Sequence, residues 1–478
     1  MATQSEAPGR AGGTKAGWAE LFHHGRGVYT VLLNLGIALH ALDIFIVTTI
    51  MPTVVGDIGG LAFYTWTSML YMVGSITGAA CGGHMRLRFG RRRGYVYGAL
   101  VFLAGTLACA IAPTMAVLLA ARVIMGAGGG LVISQSMALI SELYEPRIRT
   151  RILALVTTTW SVAAVVGPAI GGIFAEIDWW RGAFWSNVPF IALFVTMAWR
   201  SIPEAVTAAG RRLPWRRLLL LTAGVMCVAL TGQIHDIFAT IGLIALAAGA
   251  VWLTLRIDSV SEHRLFPSHA LSALAPVGLA YWVFFLISMT HSTLLVFAPL
   301  FLHVLHGVSP LYSGYLSLVF SIGWTLGSIG SSGLSGRWER LAPFLGMVVT
   351  MLSIAVIAVT MVNGWLLVIS IAITVTGFGI GVTNVIMTAY GMGVARAGEE
   401  SITASSMPTI RSLGVAFGAA IAGLIANAVG LGEGTVPSTV ARAASWVLGL
   451  TVLPPLLAAL FALRAQRWAG QARRSSPH

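Results

Sequence analysis

VYTVLLNLGIALHALDIFIVTTI, residues 28–50, is an apolar run long enough to cross a bilayer, which takes about 20 residues as a helix. It carries one carboxylate, Asp43, with His40 three residues earlier on the same helical face. An ionisable group inside a membrane helix costs about 2.5–3.5 kcal/mol on insertion scales, so it faces a bundle interior or a wet cavity and has a partner or a task there. A chain that hides Asp43 in this way needs other helices to enclose it, and that requirement sets the fold class.

The remaining sequence supplies those helices. Of 478 residues 57% are hydrophobic and 9% charged, with a mean hydropathy of +0.85, whereas soluble domains carry about 25% charged residues. Hydropathy predicts fourteen spans, at roughly 28–50, 63–83, 95–112, 115–137, 152–175, 183–199, 217–232, 236–255, 275–303, 312–333, 341–361, 364–391, 402–428 and 444–464. An even number puts both termini on one side. The net charge of +13 is carried by arginines spread over short loops, with Lys15 the sole lysine, which reads as membrane topology and excludes a nucleic-acid surface. Arg10, Lys15 and Arg26, RLRFGRRR (86–93), EPRIRTR (145–151), Arg200 with GRRLPWRR (210–217), Arg256 and Arg264, Arg337 and Arg340, Arg396, and the C-terminal Arg464, Arg467, Arg473 and Arg474 all fall on alternate loops. Only Arg181 and Arg442 fall on the others, so both termini are expected in the cytoplasm and the chain in a cell (inner) membrane, multi-pass.

Residues 1–27 and 465–478 read as cytoplasmic tails, 1–27 as disordered. Two bundles are expected, 28–200 and 268–464, six helices each, joined by a linker, 201–267, that holds an inserted pair of helices. Glycines support a repeat. Gly74, Gly78 and Gly82 line the second span and Gly167 and Gly171 the fifth; Gly323 with Gly327, and Gly414 with Gly418, occupy the matching spans of the second bundle. Such spacing lets membrane helices cross closely, and it predicts two halves that touch along small-residue seams and can rock about a midplane site. Cys81, Cys109 and Cys227 sit in apolar runs without metal-ligand spacing, so free buried thiols are expected, with no metal and no cofactor.

At this point the chain resembles a known family. Gly83-His84-Met85-Arg86-Leu87-Arg88-Phe89-Gly90-Arg91-Arg92 resembles the GxxxDRxGRR signature of the major facilitator superfamily, and Arg122 followed by Gly126, Gly128, Gly129 and Gly130 is similar to its RxxxGxG pattern. Gly167-Pro168-Ala169-Ile170-Gly171-Gly172 resembles the GPxxGG element of its antiporters. LDIFIVTTIMP (42–52), WWRGAFWSNVP (179–189) and Arg411-Ser412-Leu413-Gly414 resemble stretches of the fourteen-helix drug:proton antiporter branch. The resemblance implies the major facilitator fold, two six-helix bundles plus two inserted helices, and proton-driven export of lipophilic or amphipathic small molecules by alternating access. It implies gate roles for Gly83, Arg88, Gly90, Arg91 and Arg92, and an antiporter element at Gly167, Pro168, Gly171 and Gly172. One position departs: Leu87 stands where the family's loop has an acid, which leaves the arginines without a local counter-charge.

Asp43 lies about seven residues from the outer end of its span and Arg122 about seven from the outer start of its own, roughly 10 Å in each case at 1.5 Å per residue. A carboxylate and a guanidinium at one depth are natural partners, since neither is tolerated alone; protonating Asp43 would release Arg122, against the alternative of a fixed structural ion pair. His40, one turn inward, is a candidate proton relay or a hydrogen-bonded core residue. His291 in SMTHST (288–293), with Thr290 and Thr293, is expected to face the substrate cavity. Arg411 is expected either to snorkel to the inner interface or to hold a cytoplasmic gate. Tyr71, Trp160 and Trp324 are among the aromatics that could line a pocket. An uptake symporter or a lipid or metabolite exporter of the same fold is the competing transport reading. An enzyme is not expected: His40 and Asp43 form the one HxxD pair and no second ligand pair accompanies it, and no GxxxxGK[ST] loop supports ATP-driven pumping. The expected partners are a small-molecule substrate, protons and the lipid bilayer, with the chain acting as a monomer.

Overall fold

The computed structural model describes residues 18–475 apart from 24, 61–62, 205–213, 235, 262–263, 309 and 432–435. Its order is α1 (Arg26–Ile58), α2 (Trp66–Ala110), α3 (Met115–Leu143), α4 (Pro146–Glu176), α5 (Trp180–Trp185), α6 (Asn187–Ser201), α7 (Trp215–Leu230), α8 (Ile237–Ser259), α9 (Pro276–His306), α10 (Pro310–Ser331), α11 (Gly336–Thr360), α12 (Leu366–Gly393), α13 (Glu400–Ala428), α14 (Pro437–Leu450) and α15 (Leu453–Ser475). Residues 1–17 of the expected N-terminal tail lie outside the described residues. Trp18–Leu21 form a 3₁₀ turn whose Leu21 is fully buried, its carbonyl accepting from Thr30 Oγ1 at 2.8 Å, so this part of the expected disordered tail packs on α1. Of the 465–478 tail, α15 continues to Ser475.

Among the described residues twelve helices are long and apolar enough to cross a membrane, and Leu318–Ser331 is a shorter apolar helix. Fourteen separate spans are therefore not what is seen. The expected spans 63–83 and 95–112 are one 45-residue element, α2, broken in conformation only at Gly90 (φ 81, ψ 170). Hydropathy reads RLRFGRRR as a loop because it is charged, but four of its five arginines meet an acid. Arg86 pairs with Glu142 of α3, Arg91 lies 3.8 Å from the same carboxylate, and Arg92 and Arg93 each lie 3.0 Å from Glu204. The counter-charge that Leu87 fails to supply comes from these two acids, which corrects the expectation of an unneutralised loop.

The helices pack as two groups, α1–α6 and α9–α15, and the glycines show how. In the first half a Cβ on Gly74 would strike the Val123 carbonyl of α3, while one on Gly126 would strike the Tyr71 carbonyl of α2. In the second half Gly323 meets Thr374 of α12 and Gly377 meets Phe320 of α10 in the same way. Gly167 and Gly171 press α4 on Phe45, Ile46 and Thr49 of α1; Gly414 and Gly418 press α13 on Phe285, Ser288 and Met289 of α9. The repeat is thus a repeat of contacts. It also moves the seams: they bind helices within each half, not the halves to each other, and Gly167 and Gly171 face α1 and not the second half.

Between the halves, α13 lies on α2 and α3, and α4 lies on α10 and α12. The hydrogen bonds that join them run from mid-bundle to the arginine-rich end: Ser161 Oγ to Thr325 Oγ1 at 2.6 Å, Ser134 Oγ to the Ser405 carbonyl at 2.7 Å, and Thr150 Oγ1 to the Ser332 carbonyl at 2.8 Å. The inserted helices α7 and α8 pack together and rest on α13, and α7 also rests on α2, where Thr222 and Thr77 hydroxyls meet at 2.8 Å.

Candidate functional site

Asp43 is drawn into the first half by the packing just described. Gly167 and Gly171 seat the neighbouring residues of α1 against α4, and this turns Asp43 toward α3 with no solvent exposure. There Arg122 Nη1 donates to Asp43 Oδ2 at 2.6 Å, and the guanidinium is 1% exposed. The pairing expected from equal depth is present. Arg122 Nε donates to the Thr67 carbonyl at 3.3 Å, and its guanidinium lies 4.1 Å over the Tyr71 ring. Asp43 Oδ1 has no hydrogen-bond partner. A buried carboxylate normally has both oxygens satisfied; here Arg122 takes Oδ2, and the Tyr71 hydroxyl is the other polar neighbour of the carboxylate.

Tyr71 joins the pair to His40. Its hydroxyl lies 2.8 Å from His40 Nδ1, and Gly129 leaves room for both, since a Cβ there would sit 2.9 Å from the Tyr71 oxygen and against the imidazole. Trp160 of α4 meets the His40 ring edge-on at 5.9 Å. His40 therefore touches Tyr71 and Trp160, with Tyr71 standing between it and Arg122. Sequence reading placed Tyr71 only among candidate pocket aromatics and missed this bridging position.

The second half holds a separate group. The expected cavity trio divides: Thr290 is fully buried with its hydroxyl on the Leu286 carbonyl (3.0 Å), and Thr293 is buried with its hydroxyl on the Met289 carbonyl (3.1 Å). His291 is half-buried, stacked on Phe320 at 4.9 Å and edge-on to Trp324 at 5.2 Å. Arg411 joins this group, its guanidinium 5.8 Å over Trp324, and is thereby placed with His291 instead of with the arginine-rich loop where a gate was expected.

The other expected gate residues stay at the arginine-rich end. Gly83 makes a cross-half approach, where a Cβ would lie 2.9 Å from Ser405 Oγ. Arg88 lies 5.3 Å over Phe89, Gly90 makes the bend, Arg91 faces Glu142, and Arg92 pairs with Glu204 and lies 4.8 Å over Trp199. Pro168 is inside α4, and Gly172 has nothing within 4 Å of a Cβ. Among the described residues no group of three or more His, Cys, Asp or Glu is arranged to hold a metal.

Two packed groups of apolar helices, the first enclosing a buried ion pair, define a two-lobed membrane protein. The chain belongs to the Major Facilitator Superfamily, whose family model matches residues 33–419. It is 31% identical over 460 residues to a probable multidrug-efflux transporter of Mycobacterium tuberculosis, covering 91% of this chain and 94% of that one. It is 26% identical over 407 residues to multidrug resistance protein 3 of Bacillus subtilis, covering 82% and 78%. By structure it is similar to the human organic anion transporter MFSD10 (TM-score 0.66, 16% identity, 91% and 99% covered) and to the proton:xylose symporter XylE (TM-score 0.62, 16% identity, 91% and 94% covered), likenesses that bear on the fold alone. It is thus a transporter of this superfamily with multidrug-efflux relatives.

Proposed function

We propose that the protein is a proton-coupled exporter of lipophilic or amphipathic small molecules, of the fourteen-helix drug:proton antiporter type. The observation that carries the reading is the Asp43–Arg122 pair, fully enclosed, with one carboxylate oxygen left without a partner. Protonating Asp43 removes its charge and frees Arg122, a local change able to bias which side of the bundle opens. His40 and Tyr71 extend the group toward Trp160 at the junction with the second half. The hydrogen bonds across the arginine-rich end fit one of two access states, with that end closed. The Gly83–Arg92 stretch acts as its gate and Gly167–Gly172 as the antiporter element.

Fourteen crossings follow if α2 is counted as two arms about Gly90 and α10 as a crossing in its own right. The bundles are then 28–200 and 268–464 around a 201–267 linker. The alternating arginines favour cytoplasmic termini in an inner membrane, with one chain as the working unit and no nucleic-acid partner. The test is efflux from cargo-loaded right-side-out vesicles with and without an inward proton gradient, for the unaltered chain and Asp43→Asn. The reading predicts gradient-dependent efflux that Asp43→Asn abolishes; gradient-independent efflux, unchanged in the variant, would refute it.

A further inference from the structure

The group around Arg411 has no part in the coupling reading, and its chemistry is one-sided. Arg411 is half-buried on α13, and among the described residues its contact is the Trp324 face, with neither a carboxylate nor a hydrogen bond to its guanidinium. Trp324 is 9% exposed, and its indole Nε1 has no hydrogen-bond partner. Two donors, one of them cationic, thus share one aromatic group, and among the described residues neither has a hydrogen-bond partner. Phe320 and the half-buried His291 complete an aromatic wall around them.

Among the described residues no nearby acid answers this charge. Asp43 is taken by Arg122. In the second half Glu339 and Glu400 stand in first helical turns and Glu399 at an N-cap, away from mid-bundle. The repeat of contacts adds a second argument. Aligning Gly414 with Gly167, and the α9 residues it meets with those of α1, puts Arg411 opposite Ala164 and His291 opposite Thr48. The fold's packing does not require either side chain, so they are additions to the second half.

We infer that Arg411, Trp324, Phe320 and His291 form a binding site for the anionic end of an aromatic cargo, a carboxylate or sulfonate received by the guanidinium and the indole N–H with its ring against the aromatic wall. The inference rests on the export reading for the purpose of the site, and it names the cargo's charge. The site is also contiguous with the coupling group: Trp324 neighbours Thr325, which bonds Ser161 at 2.6 Å, and Trp160 beside Ser161 faces His40.

The experiment is calorimetric titration of the purified full-length chain in lipid nanodiscs with a matched pair of probes, 2-naphthylacetate and 2-(2-naphthyl)ethylammonium. The carboxylate is expected to bind about tenfold or more tighter than the ammonium, a preference that Arg411→Gln removes and Arg411→Lys keeps in part, while Trp324→Phe weakens carboxylate binding a few-fold. Equal or tighter ammonium binding, no binding of either probe, or an unchanged carboxylate affinity in Arg411→Gln overturns the site. If Arg411→Gln does not fold, the two probes on the unaltered chain and on Trp324→Phe decide, and equal affinities overturn it. Binding is read without a gradient, so its outcome is separate from that of proton coupling. Selective naphthylacetate binding with gradient-independent efflux would remove the coupling and leave the site.

Discussion

Asp43 shows what a residue-level argument can settle in a membrane chain. Its pairing with Arg122 was legible because each is costly alone at that depth, and counting residues along two antiparallel helices brings them level. Tyr71 was not legible, since one tyrosine among many apolar-helix aromatics carries no sign that its hydroxyl reaches a particular imidazole. For Thr290 and Thr293 the sequence was silent on burial: both are buried with their hydroxyls on carbonyls one turn back, and a short polar cluster gives no hint of which helix face packs. The repeat of contacts offers a strict test of the ion pair. Alignment through Gly167 and Gly414 puts Asp43 opposite Leu286, and alignment through Gly126 and Gly377 puts Arg122 opposite Ile373. Arg122→Met alone should destabilise the protein by about 3–5 kcal/mol, because it leaves Asp43 buried and unpaired. Asp43→Leu with Arg122→Ile, the second half's own residues, should restore thermal stability to about the starting value or above while abolishing gradient-driven efflux. A double variant as unstable as the single one would mean that the pair is structural.

Among the elements, α2 and α4 carry the lessons. The repeat was legible in glycine spacing, but spacing gives a helix face and not the helix it meets, which is why the seams were assigned between the halves when they lie within them. Gly171 and Gly172 test the corrected account. A Cβ on Gly171 would come within 2.9 Å of the Ile46 carbonyl oxygen and of Thr49 Cβ on α1, whereas Gly172 has open space. Gly171→Ala should force α1 and α4 apart and lower the unfolding temperature in detergent. Gly172→Ala should be neutral or stabilise by up to about 1 kcal/mol, since alanine is the better helix former. In α2 the bend rests on Gly90, at a backbone conformation that only glycine adopts without strain. Gly90→Ala should cost about 1–3 kcal/mol and disturb the Arg86–Glu142 and Arg92–Glu204 pairs that flank the bend; an unchanged melting curve would show that the bend relaxes freely.

At the scale of the whole molecule, the two halves meet directly at the arginine-rich end, and a cross-link there tests whether they must part. Because a Cβ on Gly83 would lie 2.9 Å from Ser405 Oγ, Gly83→Cys with Ser405→Cys is placed to form a disulfide once Cys81, Cys109 and Cys227 are replaced. Oxidation should stop efflux and reduction should restore it; efflux that continues in the oxidised protein would rule out an opening at that end. The inserted pair α7 and α8 adds an asymmetry that the twofold repeat lacks. On one flank the pair rests on α13 of the second half and, through α7, on α2 of the first; on the other flank α4 meets α10 and, among the described residues, no further helix is inserted beside them. A displacement that separates the halves must carry or break the contacts of the inserted pair on one flank and the Ser161–Thr325 and Thr150–Ser332 hydrogen bonds on the other. The inserted pair thus works as a jamb: the two flanks of the seam are built unequally, one spanned by two extra helices and the other joined by side-chain hydrogen bonds.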